Sequence, residues 1–476
     1  MSFAWTQITL YSDSYYQNIS HKTTMRISSI HLLLSLIITS LLHHSQGATS
    51  VTRHGITWHF DAEYEIGQYA NGDFYVVENS RGGGVTITST SPPYELKEGT
   101  WHRNGSMINP VAGQNAGQGF DSSTKSWKAD LNIGDNLPLN VPSGSSFVTA
   151  TSKSSKNRRP QLADFAVLTI VESAPQKDSF RPPYAGTDKT IRGNAANLDY
   201  SILRTLKKPN RGLNVPNISK VEDYFERTWY ELQTQWVAQH LHPSNNMPSY
   251  GRDMAKQLEL GIFCLLLNFS EEKKKKLFVR LVQYGIDLFG AAKSGGVWQN
   301  NGGHNHGRKI ILILAAKALN DLEILEYGDA KKYLIFGEDQ QTFYVNQRTI
   351  DITNGSKWKP DQRNGVAIPY STSDIGLAEW GIQHRTFPNG DNKAWSAIYR
   401  TVVGGSQIGL ILAARIMEFE DEWNHPPIFD YFDRYWEIEK DKETGGTNRI
   451  SKLAADMWHE YRYIKVPMRP DSLQIN

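Results

Sequence analysis

The chain has 476 residues, with 51 Lys+Arg against 49 Asp+Glu and a formal net charge of +2. That length allows two or three domains around a large core, and a near-balanced charge gives no field of one sign, which disfavours a general nucleic-acid binder. A hydrophobic fraction of 39% with 13 Trp and 22 Tyr is that of a globular chain, and the single cysteine, Cys264, excludes a disulfide framework and cysteine-based zinc or iron–sulfur sites.

Thr-Thr-Met-Arg at 23–26 precedes an apolar run from Ile27 to Leu42, which ends in His43-His44-Ser45-Gln46-Gly47-Ala48. A basic flank, a short apolar stretch and small residues after it predict a secretory signal within residues 1–47, cut near Gly47; the stretch is short and Ser-interrupted for a membrane span. A start at Met25 would account for the polar segment before it. The expected location is secreted or periplasmic, with no membrane association after cleavage. Asn-x-Ser sequons at Asn18, Asn104, Asn217, Asn268 and Asn354 fit an exported chain.

Residues 50–190 read as an N-terminal antiparallel β-domain. Short runs such as Ile56–Phe60, Asp73–Val77, Gly84–Thr88 and Phe165–Val171 are divided by Gly, Pro, Ser and Asn clusters. The polar stretch 151–160 is a loop without interleaved aromatics, unlike a nucleic-acid arm. Beyond about residue 195 the period becomes helical over Val221–His242, Met254–Phe269, Glu271–Phe289, Lys309–Leu325, Ile398–Glu420 and Ile428–Tyr435. Ser270 is placed to cap the third of these, and Lys273–Lys276 reads as a solvated face. With no βαβ alternation, helical hairpins joined by long loops predict an (α/α) toroid over 195–470, so the fold class is α+β, mainly helical.

Three loops carry the chemistry. Gly295–Arg308 offers Trp298 as a stacking surface, the amides of Gln299, Asn300 and Asn301, two imidazoles at His304 and His306, and Arg308, just before an apolar helix. Asp361–His384 gathers Arg363, Tyr370, Glu379, Trp380 and His384, and His242–Asp253 adds Asn245, Asn246, Tyr250 and Arg252. His304 and His306 could ligate zinc only with a distant third ligand such as His384 or Asp374, so no metal is expected for turnover, with a structural Ca²⁺ left open. The stock of amides, His, Tyr and Arg suits β-elimination of a uronic-acid polymer. That reaction needs a group to neutralise the C5 carboxylate, a base for the C5 proton and an acid for the C4 oxygen. Hydrolysis would instead need two opposed carboxyls.

These loops and the β-rich N-terminal part resemble the α/α-toroid polysaccharide lyases that cleave alginate or glucuronan, such as polysaccharide lyase family 38. Gly67–Val77 and Ser179–Lys189 are also similar to parts of secreted bacterial proteins of no stated activity. The resemblance implies Asn246 as carboxylate neutraliser, His304 or His306 as second neutraliser or base, Tyr370 as acid and base, and Arg363 as a subsite cation. Trp298, Gln299, Asn301, Tyr250, Arg252, Glu379, Trp380 and His384 would complete substrate binding. The expected partner is an anionic polysaccharide, not nucleic acid. Two alternatives stand beside it: a glycoside hydrolase using Asp253, Asp374 or Glu379, and a non-catalytic carbohydrate-binding protein.

Overall fold

The computed structural model describes residues 47–79, 83–209, 215–235, 240–245, 251–299, 302–360, 362, 365–381, 392–442 and 449–463. The expected signal segment lies outside them up to Gln46. Among the described residues no helix is long and apolar enough to cross a membrane.

The first half is built from β1 (Ala48–Arg53), β2 (Ile56–Tyr64), β3 (Ile66–Gln68), β4 (Phe74–Val77), β5 (Val85–Ser91), β6 (Glu95–Lys97), β7 (Trp101–Arg103), β8 (Ser106–Ile108), β9 (Leu139–Val141), β10 (Ser145–Ser152) and β11 (Leu162–Val171). The β1–β2 hairpin closes on His54 and Gly55, both at positive φ (50° and 75°), the two-residue turn whose twist matches that of antiparallel strands. One sheet has the order β1-β2-β5-β9, a second β3-β4-β11-β10-β8, and β6 and β7 form a separate ribbon. Every pairing of these strands is antiparallel except β4 with β11.

The second sheet is buried on both faces. Phe147, Ala166, Leu168 and Ile170 point to a core shared with Trp58, Ile87 and Val141 of the first sheet. Val148, Ala150, Phe165 and Val167, alternating with them, point into the core formed with the helices. That explains why 165–171 is a nearly continuous apolar run.

The helical half contains α1 (Ile218–Asp223), α2 (Gly251–Leu266), α3 (Glu271–Lys293), α4 (Arg308–Leu319), α5 (Leu322–Glu326), α6 (Gly337–Gln341), a short strand β12 (Thr342–Tyr344), α7 (Gln347–Thr353), β13 (Ala378–Trp380) paired with β12, α8 (Ile398–Gly404), α9 (Ile408–Ile416), α10 (Glu420–Trp423), α11 (Pro426–Glu439) and α12 (Lys452–Tyr461). Among the neighbouring pairs, α3 packs on α4, α2 on α9, and α9 on α12.

Several expectations are corrected here. The helix expected over Val221–His242 stops at Asp223. Beyond it the backbone is satisfied by partners outside any helix: Gly113 N–H donates to Leu232 O (2.9 Å), and Tyr184 Oη lies between Trp229 O and Glu231 N. Lys309–Leu325 breaks at Asn320 (φ 53°), after which Asp321 caps α5 by accepting from Ile324 N at 3.0 Å. Ile398–Glu420 breaks at Gly404-Gly405, where Tyr435 and the Arg449 backbone leave no room for a Cβ. Ser270 precedes α3 without a side-chain capping bond, and Lys274 is buried within the lysine run, which pushes its ammonium down to about 8. Asn104, one of the sequons, is buried in the β7–β8 turn with its amide bonded to Pro93 O and Ser152 N.

A buried ion cluster joins the sheets to the helices. Arg181, fully buried, donates to Asp73 beside β4 (2.8 Å) and to Asp287 on α3 (2.6 Å). Burial raises both carboxyls, but at Asp73 the Arg181 and Arg53 guanidinia outweigh it and hold the group down to about 2. Asp287 has Arg181 alone and stays raised, to about 6. A carboxyl with a raised folded pKa favours folding at low pH and loses that contribution as pH rises, here between the unfolded value near 4 and about 6. The stability of wild type relative to Asp287→Asn should therefore fall by on the order of 2 kcal/mol between pH 4 and pH 7. Parallel urea midpoints for the two proteins across that range would contradict it.

Candidate functional site

The loop from Gly295 to Gly307 joins α3 to α4, and its described residues are fixed by groups far away in sequence. Thr234 receives three of its bonds: Val297 N–H donates to Thr234 Oγ1 (3.2 Å), while Gln299 N–H (3.2 Å) and Asn305 Nδ2 (3.0 Å) donate to its carbonyl. Glu231 takes the indole N–H of Trp298 (2.7 Å), the hydroxyl of Tyr284 (2.7 Å) and the guanidinium of Arg308 (3.2 Å), all buried. At the far end Gln341 donates to Gly302 O (3.1 Å) and accepts from His306 Nε2 (2.6 Å), which places the His306 proton on Nε2.

This scaffold buries both imidazoles but gives them different surroundings. His306 is 0% exposed and locked to Gln341; burial pulls its pKa down to about 4. His304 is 5% exposed. It lies against the first turn of α2, where a Cβ on Gly251 would come within 2.8 Å of His304 Cα and 2.9 Å of its Nδ1. Only glycine fits there. Burial, then His306, Arg159, Arg308 and Arg252, push the pKa of His304 down to about 3, so the ring is neutral at neutral pH inside a field of guanidinium groups.

The remaining expected site residues are dispersed. Trp298 is fully buried, its ring stacked on Phe336 (5.2 Å, 8°), so it packs the core and offers no face to a sugar. Tyr370 is 1% exposed, its ring set in a small cluster with Val345 and Ile350. Burial and the nearby Glu379 carboxylate push its hydroxyl well above its usual range, with Arg400 and Arg434 opposing. Tyr370, for which resemblance implies an acid–base role, is thus a buried phenol held in its protonated form. Glu379 is ion-paired to Arg400 (2.8 Å) and Arg434, and Trp380 lies in the main core, so neither is a substrate contact. Gln299 is half-buried and bonded to the loop's anchor, and Arg252 leans towards Asp253 at 3.6 Å. Asn246, Tyr250, Asn300, Asn301, Arg363 and His384 lie outside the described residues.

Asp374 caps its own turn by accepting from Ser371 N and Oγ, each at 2.8 Å, and pairs with Lys393 (2.8 Å). Among the described residues no three His, Cys, Asp or Glu side chains converge as a metal site. Glu231, Gln341 and Arg159 escaped the sequence reading. Glu231 sits inside an aromatic run that reads as helix, and only its place as a lone acid among Trp229, Tyr230, Leu232 and Trp236 marks it.

Comparison with protein-family models, curated proteins and solved structures returned no match. The geometry therefore has to carry the functional reading by itself.

Glu231→Gln would keep the shape of the side chain but leave the Arg308 guanidinium buried without a counter-charge. We expect a loss of about 3–5 kcal/mol in stability, read from urea unfolding. A loss below about 1 kcal/mol would show that Glu231 is not the anchor of this loop.

Proposed function

We propose that the protein is a secreted polysaccharide lyase that cleaves a uronic-acid polymer of the alginate or glucuronan type by β-elimination, at a site centred on His304. The observation that carries this reading is His304 packed on the first turn of α2, its imidazole kept neutral by burial first and then by His306, Arg159, Arg308 and Arg252. In β-elimination the C5–H bond breaks and its proton passes to a base, a C4=C5 double bond forms, and the C4–O bond breaks as the leaving oxygen takes a proton from an acid. The arginines supply a counter-charge for the C5 carboxylate, on which negative charge grows in the transition state, and the unprotonated ring supplies a lone pair for the proton.

A base with so depressed a pKa is weak. Burial is the largest cause of that depression, and a bound uronate would offset the arginine part of it, moving His304 towards the basicity the step needs. The acid role goes to Tyr250, a phenol of the same sequence loop as Asn246, with which carboxylate neutralisation stays. The (α/α) toroid and export through the signal at 1–47 belong to the same proposal. The hydrolase alternative has less support, because Glu379 is tied up by two arginines and Asp374 by its own turn and Lys393.

Incubation with alginate, glucuronan, pectic and heparinoid polymers should release products absorbing in the ultraviolet from C4=C5 unsaturation. His304→Gln and Tyr250→Phe should each lower kcat by about 10²-fold or more, whereas Tyr370→Phe should stay within about threefold of wild type. Chain cleavage without ultraviolet absorbance would replace the lyase by a hydrolase, and binding without cleavage would make it a binding protein. A folded Tyr370→Phe protein without activity would restore Tyr370 to the site.

A further inference from the structure

We infer that the β6–β7 ribbon and the loop beside it form a separate subsite for the same anionic polysaccharide, in which the stacked rings of Tyr94, His102 and Trp127 hold sugar units away from His304. This rests on the polysaccharide reading of the site and extends it to the β-rich half.

Tyr94 and Leu96 share one face of β6, and pairing places Leu96 opposite His102, whereas Trp101 and Arg103 point the other way. On the first face Tyr94 and His102 stack (6.0 Å, 29°), the Tyr94 hydroxyl meets His102 Nδ1 at 2.7 Å, and His102 stacks on Trp127 (5.2 Å, 28°). His102 is sandwiched, so the ring faces left for sugar are the outer ones of Tyr94 and Trp127; all three rings are half-buried and Leu96 is 47% exposed, so the stack lies at the surface and not in a core.

The loop that presents Trp127 is held by a dense set of hydrogen bonds. Gln118, fully buried, accepts from Phe120 N (2.7 Å) and Asp121 N (3.0 Å) and donates to Asp121 O (2.8 Å) and Lys125 O (3.3 Å). Backbone bonds from Gln118 N to Ser126 O (2.8 Å) and from Lys128 N to Gln118 O (3.0 Å) complete the clamp. A half-exposed indole held this firmly is pre-organised for a flat partner and loses little entropy on binding one.

Charge and continuity name the partner. Lys125 and Lys128, both exposed, flank Trp127 and favour a carboxylate there, while Glu95, Glu98 and Asp135 carry the opposite charge at the Tyr94 end. The same loop is bonded to the segment at His240. Asp121 accepts from Gln161 (3.1 Å), and Gln161 N–H donates to His240 O (2.8 Å). Lys125 and Arg159 both act electrostatically on His240, and Arg159 acts on His304 as well. The Trp127 loop is thus tied through Gln161 to the segment at His240.

The test measures binding of alginate and glucuronan to His304→Gln protein by calorimetry, with a single-stranded oligonucleotide as comparison. Adding Trp127→Ala should weaken uronate binding roughly 3- to 10-fold, while Trp127→Phe, which keeps a ring, should stay within about twofold and controls for folding. Unchanged affinity in folded Trp127→Ala protein overturns the subsite and leaves the lyase reading intact. If neither polymer binds, both readings fall together. Tighter binding of the oligonucleotide than of either polymer also overturns the proposal.

Discussion

Three donors from separate parts of the chain end on the carboxylate of Glu231: the Tyr284 hydroxyl from α3, the Trp298 indole from the loop and the Arg308 guanidinium from the first turn of α4. Inside a core, each of these polar groups would cost several kcal/mol if left without a partner, and the charged pair would cost more. Satisfied together on one acid, they tie the segment after α1 to both helices and to the loop between them. His304 inherits its position from that arrangement. So does its electrostatic state, because the Arg308 that Glu231 anchors also contributes to the field around the imidazole.

The second constraint is the sheet buried on both faces. Because β10 and β11 send alternate side chains to two cores, the β-rich half cannot be lifted from the helices without exposing Phe165, Val167 and Val148. The Asp73–Arg181–Asp287 cluster crosses the same junction and adds directional bonds to the apolar contact. This continuity is what allows a residue of the β-rich half, Arg159, to act on a histidine of the helical half.

The parts legible in the sequence are those where local pattern and tertiary structure agree. The strand at Ile56–Phe60 follows from its two-residue period, that at Phe165–Val171 from a short apolar run between turn residues, and the long helix after Ser270 from its helical period. Val221–His242 misled because helical spacing of aromatic residues also arises when an irregular segment is buried from all sides, as Trp229, Tyr230 and Leu232 are. Loop composition located His304 but could not separate it from His306, since the distinction depends on Gln341, 35 residues further on. Trp298 and Tyr370 show the same limit from the other side: a large ring in a Gly- or Pro-containing loop looks like a ligand contact until its burial is known.

The claim at the centre of this account is that His304 is uncharged at neutral pH and lies in an arginine field that a carboxylate substrate can offset. Nitrogen-15 NMR of histidine-labelled protein, with His304→Gln used to assign the signal, measures it directly. The account predicts a His304 midpoint far below 6.5, at about 3, that moves upward when an oligouronate is added. A midpoint at or above about 6 in the free protein, unmoved by the oligouronate, would contradict it.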